Sequence, residues 1–130
     1  MNTAEEIKTL VREKYGQIAE QSREENAASC CGAGGCSTVD YTIMSEDYSA
    51  TDGYVPDADL GLGCGIPTEF AQIKKGDVVL DLGSGAGNDA FVARALVGTS
   101  GKVIGVDMTA SMIDKARKNN DTLGFNNVEF

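Results

Sequence analysis

Hydrophobic residues in the second half of the chain fall into short apolar runs separated by longer amphipathic stretches. The apolar runs occur at 78–82 and 102–106, and a third begins within 127–130. Short apolar runs bounded by turn residues are typical of strands in a parallel sheet that is buried on both faces. Between them, hydrophobic positions recur with helical spacing over about 89–97 and 109–123, and each stretch ends at a glycine, a common helix stop. The pattern predicts alternating strands and helices around a parallel sheet, with these residues of the last helix facing inward: Met112, Ile113, Ala116 and Leu123.

The first half of the chain begins with an amphipathic pattern. Thr3 and Glu6 form a capping box, and apolar residues then recur on one helical face: Ile7, Leu10, Val11, Tyr15 and Ile18. We expect this helix to pack on the body of the protein, although a partner-binding helix would show the same pattern. Later, Thr68 is placed to cap a short helix over 68–73. We divide the chain into an N-terminal helix with a cysteine- and glycine-rich loop extension, 1–66, and the first part of a sheet domain, 67–130.

A glycine-rich turn follows the first predicted strand. Asp81 is the one charged residue of that strand, where burial makes charge costly, so it needs a polar partner. Glycines at alternate positions of the turn at 83–87 allow positive φ angles and let a ligand lie against bare backbone. Asn88 and Asp89 then suit a helix N-terminus, where free N–H groups attract anions. The order of strand, turn and helix predicts a nucleotide cofactor, with a plain tight turn as the alternative.

The spacing of this turn bears on which cofactor it holds. In the dinucleotide fingerprint a small third residue lets helix and strand pack closely, and here Asn88 stands at that position. The pattern instead resembles the first motif of S-adenosylmethionine-dependent methyltransferases of the Rossmann-like class. Asp107 closes the second strand, where an acceptor-only carboxylate can bind both ribose hydroxyls, and Met108 is placed beside the adenine. The predicted cofactor-binding residues are Asp81, Gly83, Ser84, Gly85, Gly87, Asn88, Asp107 and Met108. A nicotinamide-dependent dehydrogenase remains a rival interpretation.

Charge and composition narrow the list of partners. The chain has 11 basic and 20 acidic residues and a net charge of -9, which argues against nucleic acid as a substrate because its binding rests on neutralising phosphates. Its apolar runs are too short to cross a bilayer, and its N-terminus lacks the basic and apolar regions of a secretory signal. We therefore expect a cytoplasmic protein without membrane contact.

Four cysteines give a second chemical signal: Cys30, Cys31, Cys36 and Cys64. In the cytosol they are expected to be reduced, so a disulfide framework is not predicted. Zinc is a minor hypothesis because the chain lacks histidine and the paired C-x-x-C spacing. Thiols on glycine-rich loops suit a thiophilic ion such as trivalent arsenic. The alternative is that Cys64 is a small buried residue and the other three lie in an ordinary loop.

Residues 48–130, and above all Leu62-Gly63-Cys64-Gly65 together with the turn at 83–87, resemble the microbial arsenite methyltransferase family. Residues 11–16 and the cysteine pair are also similar to that family. The resemblance implies that Cys64 ligates arsenic and that Cys30 or Cys31 acts in binding or redox steps, which makes these three the candidate catalytic residues. It also implies two further arsenic-binding cysteines beyond Phe130, S-adenosylmethionine as cofactor, arsenite or its thiol conjugates as substrate, and thioredoxin or glutathione as reductant.

The fold expected from this resemblance is a Rossmann-like class I methyltransferase fold, truncated after the start of the third strand. Such a sheet has several more strands, and its binding site draws on both halves. We therefore expect an N-terminal fragment that is inactive alone and whose exposed sheet edge can pair into a non-native dimer. The predicted activity of the parent is methyl transfer to thiolate-bound trivalent arsenic. The alternatives are a methyltransferase for another small molecule and a non-catalytic thiol-rich module that binds metals or metalloids.

Overall fold

The computed structural model of the protein describes residues 3–22, 25, 47–61 and 65–130. The helices are α1 (Ala4–Glu20), α2 (Asn88–Val97) and α3 (Ala110–Leu123), and the strands are β1 (Val78–Leu82), β2 (Lys102–Val106) and β3 (Val128–Glu129). Two short 3-10 turns, Pro56–Ala58 and Pro67–Glu69, lie in the segment before β1. Among the described helices, none is both long and apolar enough to cross a membrane.

The three strands form one parallel sheet in the order β1-β2-β3. Val78 lies opposite Lys102 at one end of the β1-β2 pair, and Leu82 lies opposite Val106 at the other. The shorter β3 begins with Val128 opposite Val103. This alternation of parallel strands and helices confirms the α/β order predicted from the sequence.

The main hydrophobic core lies between α2 and one face of this sheet. Phe91 of α2 is its centre, with the Phe130 ring 5.6 Å away edge-on and the Phe125 ring 6.2 Å away. The buried residues around it are Ala58, Ala90, Ala93, Val97, Val103 and Val128. A helix that is apolar over most of its length is stabilised mainly by such packing, so α2 fixes the position of the glycine turn from which it starts.

The opposite face of the sheet is exposed, which corrects the prediction that the strands are buried on both faces. Val78, Leu80 and Leu82 of β1 are 71%, 58% and 75% exposed, and Val106 of β2 is 47% exposed. The reason is topological: two successive right-handed crossovers in one direction place both helices on the same side of the sheet. No element among the described residues covers the other side.

The N-terminal helix α1 docks through its C-terminal end. The capping box of Thr3 and Glu6 is present as predicted. Ala19 is buried, and the Lys115 amine of α3 donates to its carbonyl at 3.2 Å. Toward the other end, Leu10 is exposed together with Ile7. The expected docking on the body of the protein is therefore confirmed only for the last turn of the helix.

Two local predictions were wrong. The helix expected over 68–73 is only the 3-10 turn Pro67–Glu69, and the left-handed backbone of Gln72, at φ 53°, prevents a longer helix. Leu123 is exposed instead of facing inward, whereas Asn119 of the same helix is buried. The Asn119 amide is satisfied there because it donates to the carbonyls of Asp57 and Ala86, each at 3.3 Å.

Candidate cofactor site

The glycine turn lies across the carboxyl ends of β1 and β2. The Gly83 and Ser84 amides both donate to the Val106 carbonyl, at 2.7 and 3.0 Å. Within the turn, the Gly87 amide donates to the Ser84 carbonyl at 3.0 Å, and α2 begins with the next residue. Carboxyl ends of parallel strands are where open α/β sheets bind ligands, so the turn is held at the expected end of the sheet.

The three glycines of the turn have positive φ angles but different surroundings. A Cβ at Gly83, where φ is 75°, would meet nothing within 4 Å, and one at Gly85 would meet only the Met112 sulfur at 4.0 Å. A Cβ at Gly87 would lie 2.7 Å from the Phe91 ring and 2.9 Å from that of Phe130. The first two glycines therefore leave open space for a ligand, while the third lets the turn pack against the aromatic core.

Asp107 fastens the turn to the end of β2. Its Oδ2 accepts the Gly85 amide at 3.0 Å, and its Oδ1 accepts the Thr109 amide at 2.8 Å just before α3. A carboxylate has about four lone-pair sites, so each oxygen keeps room for a further donor. Met108 beside it is exposed. The arrangement leaves Asp107 able to accept two hydroxyls, and its predicted contact with ribose remains a prediction.

Polar side-chain atoms without partners collect around this turn. Asp81 Oδ2, Ser84 Oγ, Asn88 Oδ1 and Asp89 Oδ1 are buried and make no hydrogen bond among the residues that the structure describes. Buried polar atoms are normally paired, because an unmade hydrogen bond costs about 1–3 kcal/mol. A polar ligand held on the turn would supply partners to these atoms, so the residues present fit a nucleotide cofactor.

The charge around the turn is negative. The pKa of Asp81 is raised to about 6, first by burial and then by the charges of Asp89 and Asp107. Burial also raises the pKa of Asp89, and a hydrogen bond with the Tyr48 side chain offsets part of this rise by lowering the same pKa. Like charges in one site disfavour further anions and favour a cation. A ligand with a positive sulfonium and ammonium group therefore suits this site better than a pyrophosphate does.

The structure thus brings together the eight predicted cofactor-binding residues at one end of the sheet. The predicted thiol ligands are not placed, because Cys30, Cys31, Cys36 and Cys64 lie outside the described residues. In the part that is described, no group of three acidic, cysteine or histidine side chains could hold a metal ion. From the sequence, Tyr48 is expected only to pack against the rest of the protein, whereas in the structure its hydroxyl donates to the Gly65 carbonyl and its side chain is also hydrogen-bonded to Asp89. A single tyrosine in an irregular segment carries no periodic signal that would have revealed these hydrogen bonds.

Comparisons with known proteins find similarity to methyltransferases. Residues 73–130 match the family model described as a methyltransferase domain. An arsenite methyltransferase from Halobacterium salinarum is 44% identical over 97% of this chain, and one from Aquipseudomonas alcaligenes is 33% identical over 92% of it. The chain spans about a third (34%) of the length of each of these relatives. A solved methyltransferase from Aquifex aeolicus, described as SAM-dependent, is 38% identical over 49% of this chain and 34% of its own, with a TM-score of 0.45.

The parallel sheet and the glycine turn define a Rossmann-like fold of the kind found in S-adenosylmethionine-dependent methyltransferases, and residues 73–130 carry the match to the methyltransferase domain. The predictions of fold class and of S-adenosylmethionine as cofactor are thereby confirmed. Within that class, similarity over nearly the whole chain confirms the resemblance to the arsenite methyltransferase family.

Proposed function

We propose that this chain is the N-terminal, cofactor-binding part of an arsenite methyltransferase that transfers methyl groups from S-adenosylmethionine to thiolate-bound trivalent arsenic. Two observations support a longer parent enzyme. The chain spans about a third (34%) of the arsenite methyltransferases that it resembles, and one face of its sheet is apolar and uncovered. By itself the chain is expected to be inactive.

The observation that carries the proposal is the set of carboxylates and unpaired polar atoms around an open glycine turn. Asp81 and the turn at 83–87 would hold the methionine end of the cofactor, whose ammonium group carries a positive charge. Asp107 would accept the ribose hydroxyls, as the acceptor-only chemistry of a carboxylate allows. The anionic surroundings of Asp81 disfavour a dinucleotide, whose pyrophosphate is negatively charged.

The acceptor chemistry requires soft sulfur ligands and no base. S-adenosylmethionine, when bound, supplies a methyl group on a positively charged sulfur. The arsenic lone pair would form the new bond to the methyl carbon as the carbon–sulfur bond breaks, and the electrons of that bond would stay on the departing sulfur. Since the attacking lone pair carries no proton, positioning is the main catalytic task, and it contributes about 7–11 kcal/mol in favourable cases. Cys64, with Cys30 or Cys31, would hold the arsenic.

Each methyl transfer oxidises the arsenic, so a reductant must restore the trivalent state before the next one. Protein thiols can supply the two electrons by forming a disulfide, which thioredoxin or glutathione then reduces. This requirement supports a cytoplasmic location, where such thiol reductants keep cysteines reduced.

Calorimetric titration of the full gene product with S-adenosylhomocysteine and with NAD tests the cofactor. We expect the first nucleotide to bind and the second not to bind. Asp107→Ala should weaken binding, because each hydrogen bond to a charged group contributes about 1.5–3 kcal/mol. Asp121→Ala, at an exposed position of α3, is the matched control and should bind as the parent does. Binding of NAD alone would exclude the methyltransferase proposal.

Methylated arsenic products, separated by chromatography and quantified by mass spectrometry, test the acceptor. Cys64→Ser in the full gene product should abolish arsenite methylation and leave the affinity for S-adenosylhomocysteine unchanged. Cys36→Ser is compared in parallel, because the family resemblance assigns arsenic binding to Cys64 and binding or redox steps to Cys30 or Cys31. Full activity of Cys64→Ser would exclude arsenic ligation by this thiol. In that case a methyltransferase for another small molecule would become the better proposal, and arsenic binding without methylation would favour a thiol-rich binding module.

A further inference from the structure

Asn119 of α3 is a buried polar residue, 8% exposed, whose side chain contacts the cofactor turn. Its amide group donates one proton to the Ala86 carbonyl and the other to the Asp57 carbonyl, each at 3.3 Å. An amide group carries two N–H protons, so both hydrogen bonds can form at once. The reversed amide would place its oxygen against two carbonyl oxygens, which cannot donate, so the two acceptors fix the orientation of this side chain.

The hydrogen bond to Ala86 holds one end of a peptide unit whose other end is held within the turn. The Ala86 carbonyl and the Gly87 amide belong to the same planar unit. The Gly87 amide donates to the Ser84 carbonyl at 3.0 Å. Because α2 begins after Gly87, the helix bonds start at the Gly87 carbonyl and do not use that of Ala86. Asn119 is therefore the side chain that holds the carbonyl end of this peptide.

The backbone of the turn does not hold this peptide by itself. Rotation of the peptide changes the φ angle of Gly87, which is 100°, and glycine adopts positive and negative φ angles with similar ease. Ser84 and Asn88 flank the peptide in the sequence, and their buried side-chain oxygens lack partners in the part of the chain that the structure describes. The directions of these two oxygens toward a ligand depend on the conformation of the turn between them.

We infer that Asn119 is a positioning residue for the cofactor, because it holds the Ala86–Gly87 peptide in the binding conformation before the nucleotide arrives. A site that is only partly in its binding conformation loses apparent affinity by that fraction, and a site that is already ordered avoids the cost of ordering. The inference rests on the proposed function, since it presumes that the turn binds the nucleotide. The Asp57 carbonyl lies outside residues 73–130, so Asn119 also joins the turn to the segment that precedes the methyltransferase domain.

Asn120, the next residue of α3, provides a matched control. Its side-chain amide also donates to two backbone carbonyls, those of Phe125 and Val128, each at 3.2 Å. Both carbonyls lie after α3, at or before the start of β3, and neither belongs to the turn. Alanine at either position removes two hydrogen bonds of the same kind. A purely structural role of Asn119 therefore predicts similar results for the two variants.

Calorimetric titration of the full gene product with S-adenosylhomocysteine compares the two variants. We expect Asn119→Ala to raise the Kd about three- to tenfold, the range that the loss of one hydrogen bond spans. Asn120→Ala should change the Kd by less than about twofold. Urea unfolding of both variants separates a change in affinity from a change in stability. Asn119→Ser, whose shorter hydroxyl bonds back to its own helix, takes the place of Asn119→Ala if that variant does not fold.

Hydrogen exchange of the Gly87 amide tests the conformation of the turn directly, and in the parent protein it needs no variant. Mass spectrometry with fragmentation that resolves single amides measures the rate. Without nucleotide, we expect this amide to exchange at least about tenfold more slowly than in an unstructured peptide, because the peptide is already held. Asn119→Ala should reduce this protection about three- to tenfold, and Asn120→Ala should leave it unchanged.

The outcomes separate the two proposals. If S-adenosylhomocysteine does not bind the parent protein, the proposed function fails. If it binds the parent and Asn119→Ala equally well, or if Asn120→Ala loses as much affinity as Asn119→Ala, Asn119 has only a structural role and the proposed function stands. Unprotected exchange of the Gly87 amide in the free parent protein, slowed only by the nucleotide, would show that the nucleotide orders the turn and would also overturn the inference.

Discussion

The two faces of the sheet are built from the same strands but have opposite surroundings. On one face, Val103 and Val128 are buried beneath Phe91 of α2. On the other, Leu80 and Val106 are exposed. Since side chains alternate along a strand, neighbouring residues of β1 belong to these two environments. The apolar character of a strand therefore shows that a face is suited to burial, and the topology of the described chain decides whether it is buried.

The cofactor site belongs to the covered face. Asp81 lies opposite Gly105 in the sheet, and a Cβ at Gly105 would come within 2.9 Å of the Ser84 Cβ and 2.5 Å of the Phe130 ring. The turn and its carboxylates thus rest on the packed core. None of the strand side chains on the open face is among the eight candidate cofactor residues. Mutations on the covered face should accordingly change stability and cofactor binding, whereas mutations on the open face should change association between chains.

The largest difference between the faces should appear on truncation of their central side chains. Phe91→Ala removes the ring at the centre of the covered face and should lower the free energy of unfolding by about 3–5 kcal/mol. Leu80→Ala on the open face should change it by no more than about 0.5 kcal/mol, because an exposed leucine loses few contacts. Urea unfolding followed by circular dichroism measures both values. Equal losses would show that the open face is covered in solution.

Gly87 offers a smaller test, at the point where the turn meets the core. An alanine Cβ there would clash with the Phe91 and Phe130 rings. Gly124 is the matched control, because it is also left-handed, at φ 70°, but a Cβ at this position would meet nothing within 4 Å. We expect Gly87→Ala to cost about 1–3 kcal/mol more than Gly124→Ala, by overpacking. The same unfolding experiment compares the two variants, and equal costs would mean that backbone strain alone explains this glycine.

Much of the covered face could be predicted from the sequence, because local signals and packing agree there. Gly98 and Gly124 stop their helices where the pattern placed the stops, and Lys102–Val106 is the strand that was expected. The open face could not be predicted, because the apolar pattern of 78–82 is the same whether a layer covers it or not. The polar burial of Asn119 was also missed, since it depends on carbonyls distant in the sequence.

The open face and the edge strand β1 are the surfaces through which we expect two copies of the chain to associate. Contiguous exposed apolar surface promotes binding to another molecule, and an uncovered edge strand can pair with a second chain. We propose that the 130-residue chain forms a weak dimer in this way, and Leu80→Lys should raise its Kd by about tenfold, or about 1.4 kcal/mol. Sedimentation equilibrium measures this change. Leu10→Lys, at an exposed position of α1, is the control and should leave the Kd unchanged; an equal effect of both variants would exclude a role for the sheet.

The site was predictable to the extent that it is encoded in consecutive residues. The turn at 83–87 and Asp107 could be found because a motif and a strand end locate them. The link from Tyr48 to Asp89 spans an irregular segment, and only the folded arrangement brings the two side chains together. The raised pKa of Asp81 likewise depends on the fold, because it results from burial and from the nearby charges of Asp89 and Asp107.

The smallest effect expected concerns Asp81, the charged residue on the covered face. Its pKa is raised from 3.8 to about 6 in the folded protein, mainly by burial. The folded state therefore holds the proton more tightly than the unfolded state does, and stability falls as pH rises from about 4 through 6. Asp81→Asn should be more stable than the parent by about 1 kcal/mol at pH 8, after allowance for solvent screening of this half-buried group.

This gain should shrink toward pH 5, where the folded parent already carries the proton, and unfolding titrations at both pH values measure it. Asp81→Asn should also weaken S-adenosylhomocysteine binding at pH 8, since an ionised Asp81 would hold the ammonium group of the nucleotide. If Asp81→Asn stabilises the protein without weakening nucleotide binding, Asp81 is a buried charge of the covered face that does not contact the cofactor.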